Sequence, residues 1–386
     1  MQSAAELASR LVAIPSPNPG PLAMGEEPAC EAQVAEFVVE VLEGIGLGVT
    51  RQSVAPGREN ILATLPGRTE VHLLLDAHMD TVPADNMAIE PFSGHIEGGR
   101  IHGRGAADTK GTLAAMLHAL GVLARDSDGP SATITFAATV DEEGSFRGIH
   151  KLAQSGIRPD AAVIGEPTGL ALVTATRGAA RWQMVTRGVA AHTCHPERGV
   201  NAIYKMTDVI LALRERVMAR FPDRTHPLLG SPQMTISIIR GGTRCNVVPD
   251  ECTIDVDRRL LPGERCEDVV GEVAAVLEEL RSADPDLDVQ MRKPYTFVPG
   301  TEIPEHAPIV RAAWRAAQDA GLAPRIAGVP FTTHASVLSQ RDIPCLVFGA
   351  GRAEQAHTAD EYVEVEQVQK AAAFIVALAL GSTLTK

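Results

Sequence analysis

Histidine and carboxylate side chains recur in this chain shortly after apolar segments that are predicted to be buried strands. In residues 73–83, three leucines lie just before His78, and Asp80 follows two positions later. Side chains alternate along an extended chain, so those of His78 and Asp80 are expected to point the same way. His78 could bind a metal ion through one ring nitrogen while Asp80 orients the imidazole from behind. A histidine that only caps a turn is the structural alternative.

A glycine-rich segment surrounds a further carboxylate, Asp108. It covers residues 100–113 and leads into a predicted helix over residues 112–124. The segment matches neither the phosphate-binding loop pattern nor the complete dinucleotide-binding pattern. Because glycine adopts backbone conformations that other residues rarely reach, the segment is predicted to form a tight turn that fixes Asp108 at the rim of a sheet.

Two more predicted strands end in acidic residues. Residues 132–140 lead into Asp-Glu-Glu-Gly at 141–144, and the short apolar segment 161–165 leads into Glu166. Solvated acidic turns are the simplest interpretation of both. A bound cation would relieve the repulsion among such carboxylates, and a desolvated one with a raised pKa could act as a base.

The candidate metal ligands that follow predicted strands are His78, Asp108, Glu143, Glu166 and His357. In a doubly wound α/β sheet, the carboxyl ends of the strands gather at one edge. Nitrogen and oxygen donors in this number suit two divalent ions about 3.5–4 Å apart that share a carboxylate and lower the pKa of a bound water. Three carboxylates and one bridging hydroxide would balance the charge of the two ions.

Composition limits the classes of function. The chain has 386 residues, 45% of them hydrophobic, and a formal net charge of −13. The length predicts about one to three domains, and the negative charge argues against nucleic acid or an anionic membrane as a partner. Six cysteines without a Cys-x-x-Cys pair favour a reducing cytoplasm over a disulfide framework. No signal peptide is expected, and the apolar segment 371–380 is too short to span a bilayer.

Periodicity predicts an α/β protein of two domains. Residues 1–178 and 296–386 are expected to form a doubly wound catalytic domain, within which segments 60–65 and 71–75 are predicted to be neighbouring strands. Residues 179–295 are predicted to be an inserted α+β domain with the strand and helix order βαββαβ of ferredoxin-like domains. Its predicted strands are 180–187, 233–239, 251–260 and 287–291, and its predicted helices are 201–221 and 266–281.

Five segments together resemble the M20 metallopeptidases, a family that includes acetylornithine deacetylase, succinyl-diaminopimelate desuccinylase, aminoacylase and glutamate carboxypeptidase. They are His-Met-Asp-Thr-Val-Pro at 78–83, Gly-Arg-Gly-Ala-Ala-Asp-Thr-Lys-Gly at 103–111, Asp-Glu-Glu-Gly at 141–144, Gly-Glu-Pro-Thr at 165–168 and His-Thr-Ala-Asp-Glu-Tyr at 357–362. The resemblance covers nearly the whole chain. It implies a di-metal exopeptidase-like catalytic domain, with the inserted domain serving as a lid and dimerisation domain.

The resemblance implies a role for each candidate ligand. Asp108 is expected to bridge two ions, with His78 and Glu166 on one ion and Glu143 and His357 on the other. The peptide bond after Asp108 is expected to be cis. Zinc is the expected metal from affinity order and from histidine and carboxylate ligation, while cobalt or manganese would fit the same donors.

The resemblance also implies that Glu142 is the general base and that Asp80 is the partner behind His78. The physical argument for Glu142 agrees, because adjacent side chains at a strand end diverge and Glu142 cannot easily share the ion with Glu143. Its carboxylate could hold the bridging water, take its proton and return that proton to the leaving amine.

Residues of the inserted domain are expected to complete the site. His192 matches the family's histidine that reaches the partner subunit's site and steadies the oxyanion, with His195 as the alternative. Asn246 matches a substrate-contacting asparagine. Arg259 matches an arginine that can hold a substrate carboxylate, with Arg258 as the alternative because adjacent strand residues face opposite sides. A homodimer through this domain is expected on family grounds.

These assignments predict a metal-dependent amidohydrolase that cleaves N-acyl amino acids by a metal-bridged hydroxide, in the acetylornithine deacetylase and succinyl-diaminopimelate desuccinylase branch. A carboxypeptidase or dipeptidase is the alternative within the same chemistry. A catalytically inactive relative that binds metal or amino acids is the alternative from another class. His334 departs from the family pattern, in which some relatives have an acidic residue nearby, and it either tunes specificity or packs.

Overall fold

The computed structural model describes residues 2–20 and 30–381. The chain forms two compact units. The first unit comprises Met1–Thr174, Ile303–Ala327 and Thr333–Lys386, and the second comprises Ala175–Glu302 and Gly328–Thr332. None of the helices in the described part of the chain has the length and apolar composition that crossing a bilayer requires.

The helices are α1 Ala4–Val12, α2 Ala32–Gly44, α3 Gly111–Leu123, α4 Arg147–Gln154, α5 Ala202–Ala212, α6 Cys266–Ala283, α7 Pro308–Asp319, α8 Ala335–Leu338 and α9 Val365–Gly381. The strands are β1 Val49–Ala55, β2 Arg58–Leu65, β3 His72–His78, β4 Ile96–Glu97, β5 Arg100–His102, β6 Thr133–Thr139, β7 Ala161–Ile164, β8 Leu172–Thr176, β9 Gly178–Arg187, β10 Gln233–Gly241, β11 Glu251–Leu260, β12 Asp288–Met291, β13 Thr296–Val298, β14 Thr301–Glu302, β15 Ile326–Val329, β16 Cys345–Val347 and β17 Tyr362–Glu364.

The first unit is built on a mixed sheet with the strand order β1-β2-β6-β3-β7-β16-β8. β3 pairs in parallel with β6 on one side and with β7 on the other. β16 continues the parallel arrangement beyond β7. The carboxyl ends of β3, β6 and β7 therefore lie at the same edge of the sheet, which is where ligands bind in folds of this class.

The prediction that segments 60–65 and 71–75 form neighbouring strands was wrong. β6 lies between β2 and β3, antiparallel to the first and parallel to the second. The connection after β2 runs along the start of β6, where the amides of Arg68 and Thr69 donate to the carbonyls of Pro130 and Ser131. This connection is long enough to cross one intervening strand. β2 and β3 are therefore consecutive in sequence but do not pair with each other.

The core of the first unit explains how its central helix is placed. α3 packs against α1 and α9, and nearly all of its residues are buried. A helix with apolar residues on every side must be surrounded by other elements. Because α3 begins three residues after Asp108, the turn that carries this carboxylate is anchored to a helix that has little freedom to shift.

The second unit has the predicted ferredoxin-like arrangement. Its sheet has the order β10-β11-β9-β12, and β13 also pairs with β9. All of these pairings are antiparallel. α5 and α6 pack against this sheet and against each other, with Trp182 and Ile254 in the shared core. The predicted long helix over 201–221 is α5 followed by one π-helical and one 3-10 turn that extend to Asp223.

Candidate active site

The predicted ligands of the first unit converge at the carboxyl edge of its sheet. β3 ends at His78, β6 leads into the turn 141–146, and β7 is followed by Glu166. Asp108 lies in the turn before α3, and His357 lies between β16 and β17 in a left-handed conformation with φ 63°. Residues from five separate stretches of the chain thus meet at one place.

Asp108 is at the centre of this group. Its Oδ1 lies 3.0 Å from Nε2 of His78, and its Oδ2 lies 3.3 Å from Nε2 of His357. The same nitrogen of His357 lies 3.1 Å from Oε1 of Glu143. Each oxygen of Asp108 therefore faces a different histidine, which is the arrangement that a bridging carboxylate requires.

Three groups of side chains each bring three possible metal-binding atoms within 4.8 Å of one another. These sets are His78, Asp108 and Glu166; Asp108, Glu143 and His357; and His78, Glu142 and Glu143. The first two sets share Asp108 and have the composition expected for the two ion sites. The third brings the carboxylate of Glu142 next to both sites, close enough to act on a molecule held between them.

The charges of the group favour cations. Burial raises the pKa of Glu142 and Glu166 well above the usual range, and nearby carboxylates raise both further. Burial also raises the pKa of Glu143. Hydrogen bonds to Asp108 and Glu143 raise the pKa of His357 to about 10. Carboxylates crowded out of water are stabilised by opposite charge, so the donor set fits two divalent ions.

Asp80 holds the turn that carries Glu142 and Glu143. Its Oδ1 accepts from the amide of Glu142 at 3.1 Å and its Oδ2 from the amide of Glu143 at 3.0 Å. Nδ1 of His78 donates to the backbone carbonyl of Asp80 at 2.9 Å, while the carboxylate is 3.7 Å away. Asp80 therefore orients His78 through its main chain, because its side chain is already occupied by the turn.

Asn18 is a contributor that sequence reasoning missed. Its Nδ2 donates to Oδ2 of Asp80 at 2.7 Å and to Oδ1 of Asp141 at 3.1 Å. It is buried, so these bonds are shielded from water. In the sequence Asn18 lies within the proline-rich segment Ser-Pro-Asn-Pro-Gly-Pro at 16–21, and no local pattern connects it to the acidic turn.

A buried ion pair fixes the turn that carries Asp108. The carboxylate of Glu361 accepts from the amides of Ala107 at 3.0 Å and Asp108 at 3.2 Å and pairs with Arg104. The peptide bond between Asp108 and Thr109 is cis, as the family resemblance implied. Glu361 and Arg104 lie inside two recognised motifs, yet only the structure shows that they are partners.

The other candidate residues lie in the second unit. His192, His195 and Asn246 are all exposed. His192 faces Val247 in an isolated antiparallel bridge, and the amide of Thr193 donates to the carbonyl of Asn246 at 3.2 Å. The segments that carry the candidate histidine and the candidate asparagine are therefore adjacent, and they border a cavity of about 760 Å³.

The structure separates the two candidate arginines. Arg258 is buried and forms ion pairs with Glu264 at 2.6 Å and Glu272 at 2.9 Å, so its charge is used within the unit. Arg259 is about one-third exposed, with 31% of its side chain accessible, and contacts only Asp257 among the described acidic residues. Arg259 is the arginine that remains able to bind a ligand.

Arg177 is a second cation that the sequence did not indicate. It is buried, and one of its nitrogens donates to the carbonyls of Leu229 and Ser231. Its Nε and Nη1 have no hydrogen-bond partner among the described residues. Burial lowers the pKa of this guanidinium, and the charge of Arg259 lowers it further. Two neighbouring guanidinium groups with unused donors favour an anion such as a carboxylate.

Comparisons with known proteins identify the family of the chain and its fold. The profile of peptidase family M20/M25/M40 matches residues 74–381. Acetylornithine deacetylase from Proteus mirabilis is 33% identical over 340 residues, which cover 85% of this chain and 84% of that protein. Aminopeptidase PepT from Bacillus cereus has a TM-score of 0.80 at 25% identity, over 98% of this chain and 97% of that one. The YXEP protein of Bacillus subtilis, described as a dinuclear metal binding peptidase, has a TM-score of 0.73 at 17% identity, over 98% and 96%.

Removing the central carboxylate tests the two-ion arrangement. We expect the protein, after loading with a divalent metal such as zinc, to retain two ions per chain through dialysis, and Asp108→Asn to lose both, because one charge and one shared ligand disappear. Metal content is measured by inductively coupled plasma mass spectrometry. Asp126→Asn, at an exposed turn of the same unit, is the matched control and should retain both ions. Retention of two tightly held ions by Asp108→Asn would contradict the arrangement.

Proposed function

The chain belongs to peptidase family M20/M25/M40 and is a metal-dependent amidohydrolase, and we propose that it cleaves the amide bond of N-acyl amino acids. The observation that carries this proposal is the carboxylate of Asp108, placed between two histidines with Glu142 beside them. The deacetylase from Proteus mirabilis supports a deacylase over a peptidase, because it is the more similar in sequence. A dipeptidase or carboxypeptidase is the second candidate, and the likeness to the aminopeptidase from Bacillus cereus supports peptide cleavage in general.

Two divalent ions are the proposed cofactors, and zinc is the proposed identity. His78, Asp108 and Glu166 would hold one ion, and Asp108, Glu143 and His357 would hold the other. Bound there, the ions would polarise the amide carbonyl and make water a stronger nucleophile. Imidazole and carboxylate donors suit zinc, and cobalt or manganese would fit the same set.

Glu142 is the proposed general base. Burial and the neighbouring carboxylate of Glu166 raise the pKa of Glu142, so its carboxylate is a stronger base than a solvated one. Asp80 accepts a hydrogen bond from the amide of Glu142, which fixes the backbone from which that side chain extends. Glu142 would take the proton from the attacking water and give it to the leaving amine. No second residue is then needed as a general acid.

Arg177 and Arg259 support a substrate with a free carboxylate. A planar guanidinium binds a carboxylate through paired N–H donors. The two arginines lie in one unit, and Arg177 carries donors without a partner among the described residues. An N-acyl amino acid has such a carboxylate next to the amide that is cleaved, whereas a neutral amide has none.

The proposed reaction is tested with a panel of N-acetyl and N-succinyl amino acids and dipeptides. We expect turnover of at least one N-acyl amino acid, loss of activity with a chelator, and recovery with zinc. Glu142→Gln should lower kcat by roughly 10²–10⁴-fold, since that is the usual contribution of a general base, while metal content stays the same. If only dipeptides are cleaved, the protein is a peptidase and not a deacylase. If Glu142→Gln turns over substrate at the wild-type rate, Glu142 is not the general base.

The role of the arginines is tested by comparing each N-acyl amino acid with its C-terminal amide. We expect wild type to prefer the free acid, and Arg259→Gln to lose most of that preference while it cleaves the amide at the wild-type rate. Arg240→Gln, which removes an exposed guanidinium paired with Asp255, is the control and should keep the preference. An unchanged ratio of kcat/KM values in Arg259→Gln would exclude a carboxylate contact.

A homodimer through the second unit is also proposed, with His192 reaching the partner's site. β10 is an edge strand of its sheet, and Ile238 and Ile239 on it are exposed, as is Tyr204 on α5. An edge strand with exposed apolar side chains is suited to pairing with another chain. His192 would donate a hydrogen bond to the developing oxyanion.

Mixing two defective variants tests whether His192 acts on the partner's site. Glu142→Gln and His192→Ala should each be nearly inactive alone. In a mixed dimer, one site would combine an intact Glu142 with an intact His192, so unfolding and refolding the two variants together should restore about a quarter of wild-type activity. This estimate assumes random pairing and one working site in each mixed dimer. Absence of recovery, or a monomer in sedimentation, would contradict the proposal.

A cytoplasmic location is proposed from the cysteines. All six are free thiols in the structure, and two of them, Cys194 and Cys245, are exposed. Free exposed thiols persist in a reducing compartment and tend to oxidise outside it.

A further inference from the structure

A buried carboxylate occupies the middle of the central strand of the first unit. Asp76 lies on β3 and has no exposed surface. Its Oδ2 lies 2.8 Å from Nδ1 of His334, and its Oδ1 accepts from the hydroxyl of Thr139 at 2.8 Å. Placing a charge here is costly unless it is paired. Since an apolar pair of similar volume is often at least as stable at such a place, packing alone does not explain these residues.

The pair lies directly beneath the proposed metal ligands. Asp76 precedes His78 by two residues on an extended strand, so their side chains are on the same face, about 7 Å apart along the chain. Thr139 is the register partner of His78 on β6. The amide of Gly165, the residue before Glu166, donates to the backbone carbonyl of Asp76 at 2.7 Å. Asp76 therefore contacts both strands that flank β3.

His334 connects this layer to the acidic turn. Its ring meets that of Phe146 edge to face, with 5.1 Å between the ring centres. Phe146 closes the turn, because its amide donates to the carbonyl of Asp141 at 2.8 Å. Glu142 and Glu143 lie between those two residues. A shift of the imidazole would therefore be transmitted to the segment that carries the proposed base.

The two ring nitrogens of His334 differ in their hydrogen bonds. Nδ1 must carry the proton to donate to Asp76, and Nε2 has no partner among the described residues. The imidazole is almost fully buried, with 1% of its surface accessible. It is therefore enclosed by the protein, and its ring contributes one directed hydrogen bond and one aromatic contact.

We propose that Asp76 and His334 form a positioning pair, which holds His78 and the turn bearing Glu142 in their working geometry. The pair acts through Thr139, Phe146 and the β3 backbone. This inference rests on the proposed function for its effect on rate, but its effect on the turn does not depend on the identity of the substrate. His334, which the sequence left open between specificity and packing, thereby receives a role.

Hydrogen exchange tests the pair without a substrate. We expect peptides that cover residues 140–148 to exchange faster in His334→Leu, which loses the Nδ1 donor, and to keep near-wild-type protection in His334→Asn, whose side-chain amide can replace that donor. His118→Leu, at a partly buried histidine on α3, is the control and should leave this segment unchanged. Unchanged exchange in His334→Leu would overturn the proposal.

Kinetics then test whether the pair matters for catalysis. With any substrate that wild type cleaves, His334→Leu should lower kcat by about 10-fold, the lower end of the effect of removing a direct partner of a metal ligand, because His334 lies one contact further out. KM and metal content should be nearly unchanged. Asp76→Ser combined with His334→Leu should recover part of the loss, because no unpaired carboxylate remains. An unchanged kcat in His334→Leu, or a double variant whose loss equals the product of the single losses, would overturn the positioning role. If wild type cleaves nothing in the panel, the proposed function fails. The hydrogen-exchange experiment alone then tests whether Asp76 and His334 position the turn.

Discussion

The repulsion among carboxylates that the fold removes from water is the constraint on which the rest of the first unit depends. Asp108, Glu143 and Glu166 come from different parts of the chain, and each lies close to a histidine or another carboxylate. Crowding of this kind destabilises a fold unless the charges are compensated. The same crowding is relieved by divalent cations, which supply the opposite charge. The cost to the fold and the capacity for catalysis therefore have one origin.

The surrounding residues restrict the positions that these carboxylates can take. Asp80 and Glu361 use their side chains to bind backbone amides, the first in the turn of Glu142 and the second beside Asp108. Each supporting carboxylate is buried and has a further donor, Asn18 for Asp80 and Arg104 for Glu361. Hydrogen bonds to charged groups are stronger than those between neutral groups. The carboxylates of Asp80 and Glu361 therefore hold the two turns firmly. Parallel strands provide the common edge, and α3 fixes the turn from the other side.

Much of this arrangement was predictable from the sequence, because its signals are local. An apolar run that ends in His78, a glycine-rich turn around Asp108 and the acidic run at 141–143 each have a direct physical interpretation. The βαββαβ order of the second unit follows from clear helical and strand periods. β1 has no buried residue and lacks alternation, so it gave little strand signal. α7 was overlooked although its sequence has a clear helical period, with the buried residues Ile309, Val310, Ala313, Ala316 and Ala317 on one face.

The partners of the chemical groups were not predictable, because they depend on pairing over long distances in sequence. Asn18 meets Asp80, and Arg104 meets Glu361, across 62 and 257 positions. The placement of β6 between β2 and β3 shows the same limit at the level of strands. Strand alternation predicts that Arg258 and Arg259 face opposite sides, but only the structure shows that ion pairs within the unit occupy Arg258. Arg259 is more exposed and pairs with Asp257.

Anomalous diffraction from crystals of the zinc-loaded protein tests the central claim most directly, since it locates each ion and its ligands independently of any assay. We expect two anomalous peaks at the carboxyl edge of the first unit's sheet, about 3.5–4 Å apart, with one oxygen of Asp108 next to each. A single peak, or peaks away from His78 and His357, would contradict the claim that these buried carboxylates form a two-ion centre.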